Sequence, residues 1–254
     1  MSIPGLEVWQ HTPQGRYVLD WEAARLDAAV ADVFGFKALQ IGLPERDFLR
    51  ANRMPLRQIL NDSLDAPGAL ACAFTHLPIA AQSVDLAILP HVLEFYPEPH
   101  QILREVERIL RPEGHLFILG FNPLSLWGAR RRLMSAATRQ QQGFPWNAPH
   151  YLSVLRLKDW LKLLGFEVDR GAFGLYAPPC KSEQWLLKRW HFMELAGNRW
   201  WGFAGSVYML RAVKRVAGMH LILPAWERRN LAGKALTPVA HKTHREVQYE
   251  RTAV

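Results

Sequence analysis

The sequence has few cysteines and no long uninterrupted apolar run. Its 254 residues include two cysteines, Cys72 and Cys180, in no ligand-like spacing. That spacing excludes a disulfide framework and a zinc ribbon and fits a reducing compartment. The most apolar stretch, residues 115–129, is interrupted by Asn122 and Pro123, so no segment reaches the roughly 18–20 residues of a membrane span. The first residues lack a basic start and an apolar signal core, so we expect a soluble, cytoplasmic protein.

Negative charge is also in short supply. The chain has 31 Lys and Arg residues and 23 Asp and Glu residues, which gives a net charge of +8. Hydrophobic residues make up 49% of the chain, a share that excludes a disordered protein. Residues 225–254 are basic and lack hydrophobic periodicity, which predicts a folded domain over residues 1–224 followed by a flexible tail. A run of three arginines, residues 130–132, indicates either a solvated face or contact with an anionic partner.

Apolar runs alternate with helical patterns along the chain. The predicted strands are residues 37–41, 56–62, 68–75, 84–90, 115–121, 166–169 and 206–213. Helices are predicted at residues 98–110, where apolar residues recur at helical spacing, and from Ser153 to Gly165, where a serine cap and a terminal glycine bound the pattern. This alternation predicts an α/β, doubly wound, mostly parallel sheet. In such a sheet, ligands bind at the carboxyl ends of the strands.

Residues 76–122 carry a set of motifs at fixed spacing. They are Leu77-Pro78-Ile79, Asp85, His91-Val92-Leu93-Glu94-Phe95 and Leu110-Arg111-Pro112-Glu113-Gly114. This segment resembles the methyltransferases of the ubiquinone-biosynthesis kind (type 11), and the resemblance extends over roughly residues 30 to 216. It implies the seven-stranded, Rossmann-like methyltransferase sheet, S-adenosylmethionine as cofactor and methyl transfer as the activity.

The loop after the first predicted strand departs from this family. Where the family has an acidic residue followed by Gly-x-Gly-x-Gly, this chain has Gln40, then Gly42, Pro44 and Arg46. Glycines let the backbone approach the methionine part of the cofactor, whereas proline fixes φ and removes a donor. Gln40 and Gly42 are the cofactor-binding candidates here, and the departures predict weak binding.

The next strands supply further cofactor candidates. Asp62 follows the second predicted strand, where a carboxylate reaches ribose hydroxyls in nucleotide-binding folds, although a turn also accounts for an Asp there. Ala73 stands where the family has an aspartate for the adenine amino group. Phe74 and Pro90 lie at the same expected edge of the sheet.

His91 is the predicted catalytic residue. It follows the fourth predicted strand, and its ordinary pKa suits a general base, although a histidine at that place can instead cap a helix or pack in the core. Glu94 and Tyr96 are lesser candidates. We expect no metal site, because His241 and His244 lie in the predicted tail and do not form a metal-binding set.

Tryptophans and arginines accompany the segments expected on the substrate side. Asn122, Trp127, Trp200 and Trp201 are the substrate-binding candidates. They favour an apolar or lipid-like small molecule as the acceptor, with contact to a membrane surface. RNA is the less favoured acceptor; it remains an alternative because aromatic and basic residues also stack single-stranded bases. A second hypothesis is a pseudoenzyme that keeps the fold as a binding module.

Overall fold

The structure is a computed structural model that describes residues 6–63, 69–142, 145–178 and 203–216. The helices in this part of the chain are α1 (Leu6–Trp9), α2 (Pro13–Val30), α3 (Val92–Phe95), α4 (Pro99–Ile109), α5 (Leu126–Leu133), α6 (Ala136–Gln142) and α7 (Val154–Leu163). The strands are β1 (Lys37–Ile41), β2 (Leu56–Asn61), β3 (Leu70–Ala71), β4 (Val84–Pro90), β5 (Leu110–Phe121), β6 (Phe166–Gly174) and β7 (Val207–Lys214).

The seven strands form one sheet in the order β3-β2-β1-β4-β5-β7-β6. Strands β1 to β5 pair in parallel, and β7 runs antiparallel to both β5 and β6. The predicted doubly wound α/β fold is therefore confirmed. Strand order reverses between β1 and β4, so the carboxyl ends of these two strands border the crevice where such sheets bind ligands.

Local sequence explains the two helices that matter most to this crevice. Thr12 caps α2 by accepting a hydrogen bond from the Gly15 N–H at 3.1 Å, and Pro13 opens the first turn, where its missing N–H costs nothing. Helix α4 places Ile102, Val106 and other apolar residues of one face against the sheet. The predicted helical periodicity of residues 98–110 is thus confirmed to within one residue.

Three predicted boundaries were wrong. The third strand contains only Leu70–Ala71 rather than residues 68–75, because it pairs with β2 over just these positions. Strand β5 begins at Leu110, immediately after α4, since the chain pairs with Val84 there before a register shift. Strand β6 continues to Gly174, because β7 pairs with it along its whole length.

One face of the sheet is covered unevenly. Helix α4 packs over β1, β4 and β5, but the segment joining β3 to β4 contains no helix in residues 72–83. As a result, Leu56 and Leu70 remain half-exposed, and a groove of about 490 Å³ lies along β1, β2 and β3. The half of the sheet that carries β5, β7 and α7 is more completely buried.

Some sequence-based predictions fall outside the described residues. They concern Trp200 and Trp201, and the tail predicted at residues 225–254. In the described part of the chain, no helix is both long enough and apolar enough to cross a membrane.

Candidate active site

The loop after β1 is held together by the side chain of Gln40. This side chain is fully buried, and its Nε2 donates to the carbonyl oxygens of Gly42, Leu43 and Arg46 at 3.1, 2.8 and 2.7 Å. Its Oε1 accepts a hydrogen bond from the Phe48 N–H at 2.9 Å. Both N–H groups of the amide are therefore used within the loop, and none is left to donate to a cofactor.

Gly42 is required by packing within the protein. Its φ is +87°, and a Cβ atom there would lie 2.6 Å from Cγ2 of Val92. The next residue, Leu43, also has a positive φ and is buried. A leucine in this conformation stores strain, and such strain persists only where the surroundings enforce it. The loop is therefore tightly fixed by Gln40 on one side and by Val92 on the other.

The structure joins His91 to two buried carboxylates, which we call the His91 cluster: Glu22, His91 and Glu94. The His91 ring lies 2.7 Å from Oε1 of Glu22 through Nε2 and 2.9 Å from Oε2 of Glu94 through Nδ1. All three side chains are 1% exposed or less. The second oxygen of Glu94 accepts a hydrogen bond from the Phe121 N–H at 2.5 Å.

Electrostatics in this cluster favour a positively charged histidine. Burial lowers the pKa of His91, but the two carboxylates outweigh that effect and raise the pKa to about 10. Burial also raises the pKa of Glu94, although its hydrogen bond to His91 opposes the change. An imidazolium between two carboxylates has no lone pair that could accept a proton. The geometry thus favours a structural role for His91, which links α2 to the carboxyl end of β4.

Sequence reasoning missed Glu22. Glu22 could have been identified from its position, because it lies on the same face of α2 as the buried residues Val18, Leu19 and Leu26. A carboxylate at an apolar helical position needs a buried partner. The partner, His91, is 69 residues away in the sequence, so the pairing itself could not be read from spacing.

Two candidates for the nucleoside half of the cofactor, Asp62 and Phe74, are placed near Tyr96, a lesser candidate for the catalytic residue. Asp62 follows β2 and is half-buried, and Phe74 follows β3 and is buried. Tyr96, at the end of α3, packs on Phe74 with the two ring centroids 4.9 Å apart, and burial together with the Asp62 carboxylate raises the pKa of Tyr96. Ala73 is exposed, and Pro90 is buried at the end of β4, with its carbonyl oxygen 4.0 Å from a Cβ placed on Gly42.

The substrate-binding candidates in the described residues are turned inward. Asn122 is buried, and its Nδ2 donates to the carbonyl oxygens of Phe203 and Gly205 at 2.7 and 2.9 Å. Trp127 is fully buried, and its Nε1 donates to the carbonyl oxygen of Ala177 at 3.0 Å. Both side chains therefore stabilise the end of β5 and the start of α5 in this arrangement.

Trp127 belongs to a larger group of rings beside the His91 cluster. We define this aromatic cluster as Trp9, Phe121, Trp127, Trp146 and Tyr151. Phe121 is its centre, since its ring stacks on His91 at 4.5 Å, on Tyr151 at 5.5 Å and on Trp127 at 6.2 Å. The cluster thus surrounds the carboxyl end of β5.

The residues present fit S-adenosylmethionine, the cofactor that the sequence resemblance implies, in its nucleoside half. Asp62 offers a carboxylate for ribose hydroxyls, and Phe74 offers an apolar ring for adenine. The loop around Gln40 does not fit the methionine half, because its polar groups are bonded to one another and Val92 packs onto Gly42. Among the described residues, no group of three or more His, Cys, Asp or Glu side chains is placed to hold a metal ion.

Comparisons with known proteins agree with this fold. Residues 54–118 match the family model described as a methyltransferase domain. The chain is 31% identical over 167 residues to YafS of Escherichia coli K12, described as uncharacterized; the match covers 66% of this chain and 68% of YafS.

Solved structures show the same architecture. A methyltransferase from Thermotoga maritima that depends on S-adenosylmethionine has a TM-score of 0.60 at 18% identity, covering 82% of this chain and 94% of that one. Another from Mesorhizobium loti has a TM-score of 0.52 at 17% identity, covering 77% and 99%. These structures share the fold, and the family match together with the relative YafS leads to one conclusion: the chain belongs to the S-adenosylmethionine-dependent methyltransferase family of type 11, whose enzymes use that cofactor as methyl donor.

Proposed function

We propose that this methyltransferase acts on an apolar small molecule that meets the enzyme above the carboxyl ends of β4 and β5. The aromatic cluster carries the proposal. Its five rings, centred on Phe121, lie at the end of the sheet where ligands bind in this class of fold. The rings are packed in the core, so they make the interior beneath this end of the sheet apolar, and an apolar surrounding favours an apolar ligand.

The cofactor supplies an activated methyl group, and the chain supplies position. Asp62 and Phe74 are the residues that would hold the nucleoside half. Because His91 is held between two carboxylates, the reaction at this site depends on orientation of the acceptor rather than on a histidine base. Holding two reactants in a productive arrangement provides much of the rate in such transfers.

The surface beside the aromatic cluster supports contact with an anionic membrane. In α5 and the turn before it, the exposed apolar side chains are Leu124, Leu126 and Leu133. Arg130 and Arg131 lie on aromatic rings, 5.4 Å from the centroid of Trp146 and 4.5 Å from that of Tyr151. Apolar and basic side chains on one short helix are characteristic of segments that lie at a lipid surface. An apolar acceptor could reach the site from that surface.

The test of the acceptor class follows a labelled methyl group. The full chain is incubated with S-adenosylmethionine labelled on its methyl group, and with either a total lipid extract or total RNA. We expect label in the organic phase of the lipid reaction and none in RNA. Label in RNA alone would overturn the apolar acceptor and favour the nucleic-acid alternative.

A matched pair of variants ties the label to this site. Asp62→Asn keeps the shape of the side chain but removes its charge, so we expect about tenfold weaker binding of S-adenosylmethionine. Asp159→Asn, on the exposed side of α7, should bind as the wild type does. Equal affinity in all three proteins, measured by calorimetry, would contradict the role proposed for Asp62.

A further inference from the structure

The groove along β1, β2 and β3 has an apolar floor that the sheet fixes. Leu39, Leu60 and Val84 line it and are buried. Leu56 and Leu70 also line it, and they are 50% and 58% exposed. The strands that carry these residues are joined by parallel pairing, so the groove is formed before any ligand binds.

The segment between β3 and β4 forms another wall of the groove, and α4 holds it in place. Pro78, Ile79 and Ala80 line the groove from this segment. Arg108 of α4 donates hydrogen bonds to the carbonyl oxygens of Leu77 and Ile79, both at 2.9 Å. The groove is thus built by the fold, and its volume of about 490 Å³ lies within the range of small-molecule sites.

The groove is positively charged at one end. Of the described residues that line it, only Lys37 carries a charge, and its ammonium group has no ion pair within the described part of the chain. Lys37 begins β1 and pairs with Leu56, whereas Leu60 lies four residues further along β2 and pairs with Leu70. The strand between Leu56 and Leu60 is about 13 Å long. An apolar surface of this length therefore extends from the cationic end.

The uncharged polar side chains of the groove are few and partly bonded to the protein. They are Gln58, Cys72 and Ser83. The Ser83 hydroxyl donates to the carbonyl oxygen of Ala80 at 2.7 Å, and Nε2 of Gln58 donates to that of Ile59 at 3.3 Å. Most of the lining is aliphatic, so a polar metabolite would leave it unmatched. A ligand with one carboxylate and one unbranched apolar chain matches both the charge and the surface.

We propose that this groove binds a free fatty acid of medium chain length, with its carboxylate at Lys37 and its acyl chain lying over Leu39 and Leu60 toward Cys72. The chain covers the leucines that the fold leaves exposed on β2 and β3. The floor of the groove and the aromatic cluster belong to different parts of the core, so this site is separate from the one proposed for the methyl acceptor. The inference does not depend on the proposed function.

Calorimetry on the full chain tests the ligand class. The probes are decanoate, below the concentration at which it forms micelles, hexanoate and decanol. We expect decanoate to bind at least tenfold more tightly than hexanoate, since each buried methylene contributes about fourfold. Decanol lacks the carboxylate and should bind about fivefold more weakly than decanoate, because an ion pair at an exposed lysine contributes modestly.

Three variants locate the site. Lys37→Met keeps the length of the side chain and removes its charge, so we expect about fivefold weaker binding of decanoate and unchanged binding of decanol. Leu70→Glu places a charge on the apolar surface and should weaken both probes at least tenfold. Lys158→Met, at an exposed lysine of α7, is the matched control for Lys37→Met and should bind both probes as the wild type does.

The half-buried thiol of Cys72 provides a second readout. Alkylation by iodoacetamide is followed by mass spectrometry of the peptide that contains Cys72. We expect saturating decanoate to slow this alkylation several-fold, because the acyl chain covers the thiol. Lys37→Met should need more decanoate than Lys158→Met for the same protection.

The outcomes separate this site from other places where decanoate can bind. Decanoate affinity that is unchanged in both Lys37→Met and Leu70→Glu, or alkylation of Cys72 that decanoate does not slow, would overturn the proposal. Equal affinity of the wild type for decanoate and decanol would show that Lys37 recognises no carboxylate. A stable dimer in light scattering, with Cys72 protected before decanoate is added, would instead show that a second copy of the chain covers the groove. Each of these results leaves the binding of S-adenosylmethionine and the labelled methyl experiment unaffected.

Discussion

At the scale of single residues, Gln40 shows why this chain departs from its family after β1. The family has a carboxylate at that place, but here the side chain faces the carbonyl oxygens of Gly42, Leu43 and Arg46. Only a group with N–H donors can satisfy three carbonyl oxygens, so an amide suits this loop and a carboxylate does not. The glutamine in place of the family's carboxylate and the missing glycines therefore belong together, because the Gln40 amide holds the glycine-poor loop in its conformation.

This role predicts the effect of Gln40→Glu. The variant has nearly the same shape but places a carboxylate against the three oxygens, so we expect the free energy of unfolding to fall by about 2–3 kcal/mol. Urea denaturation at neutral pH measures the change. Gln58→Glu, at a partly exposed position of β2, should change stability by less than about 0.5 kcal/mol. Equal effects at both positions would contradict the role of Gln40.

The His91 cluster makes stability depend on pH. The folded-state pKa of His91 is about 10, above its ordinary value of 6.5, so the folded protein holds a proton that the unfolded chain releases between these values. The stabilisation is complete below pH 6.5 and is lost as pH rises toward 10. We expect the free energy of unfolding to fall by about 1.4 kcal/mol per pH unit between pH 7 and 9.

Denaturation at several pH values separates this slope from other titrations. His91→Gln should lack the slope, whereas His150→Gln, at an exposed histidine, should keep it. The prediction is wrong if wild type and His91→Gln lose stability in parallel as the pH rises.

The sequence showed that His91, Asp62 and Phe74 would lie at one edge of the sheet, because chain order and the carboxyl-end rule are enough to place them there. It could not show how their side chains are satisfied. The contact between His91 and Glu22 depends on how α2 docks, and the packing of Tyr96 on Phe74 depends on how α3 docks. Those contacts decide whether a residue is open to a ligand.

At the scale of elements, periodicity predicted α4 and α7 well, since each buries one clear apolar face. It failed for β3, where an apolar run of eight residues forms only two residues of strand. Strand β3 pairs with β2 at these two positions alone. Pairing partners, rather than apolar content, therefore set strand length here.

Helix α5 carries the prediction that belongs to this scale. Leu126→Glu combined with Leu133→Glu places charge on its exposed apolar side chains, and we expect binding to anionic liposomes to fall at least tenfold in a flotation assay. The control, Leu155→Glu with Leu163→Glu, makes the same change on α7 and should bind as the wild type does.

Two results of this assay would contradict a membrane-facing α5. One is equal loss of binding in both double variants, which would indicate a general effect of added negative charge. The other is a wild type that ignores anionic liposomes and binds RNA with a steep dependence on salt.

At the scale of the whole molecule, the sheet divides into two unequally covered parts. Strands β4, β5 and β7 lie in the centre and are almost entirely buried. Strands β2 and β3 lie at an edge whose one face borders the open groove. The two residues proposed to hold the nucleoside half of the cofactor, Asp62 and Phe74, both follow strands of this edge.

The uncovered groove has a consequence for local unfolding. Amide protons of β2 and β3 should exchange with deuterated solvent through small, frequent openings, whereas those of β4 and β5 should exchange only when the whole domain unfolds. Because Asp62 is attached to β2, a bound nucleoside must slow exchange at the edge far more than in the centre. Exchange followed by mass spectrometry with and without S-adenosylhomocysteine measures this difference, and uniform protection across the sheet would contradict it. Much of the free energy of cofactor binding would then be used to suppress local opening of the edge formed by β2 and β3.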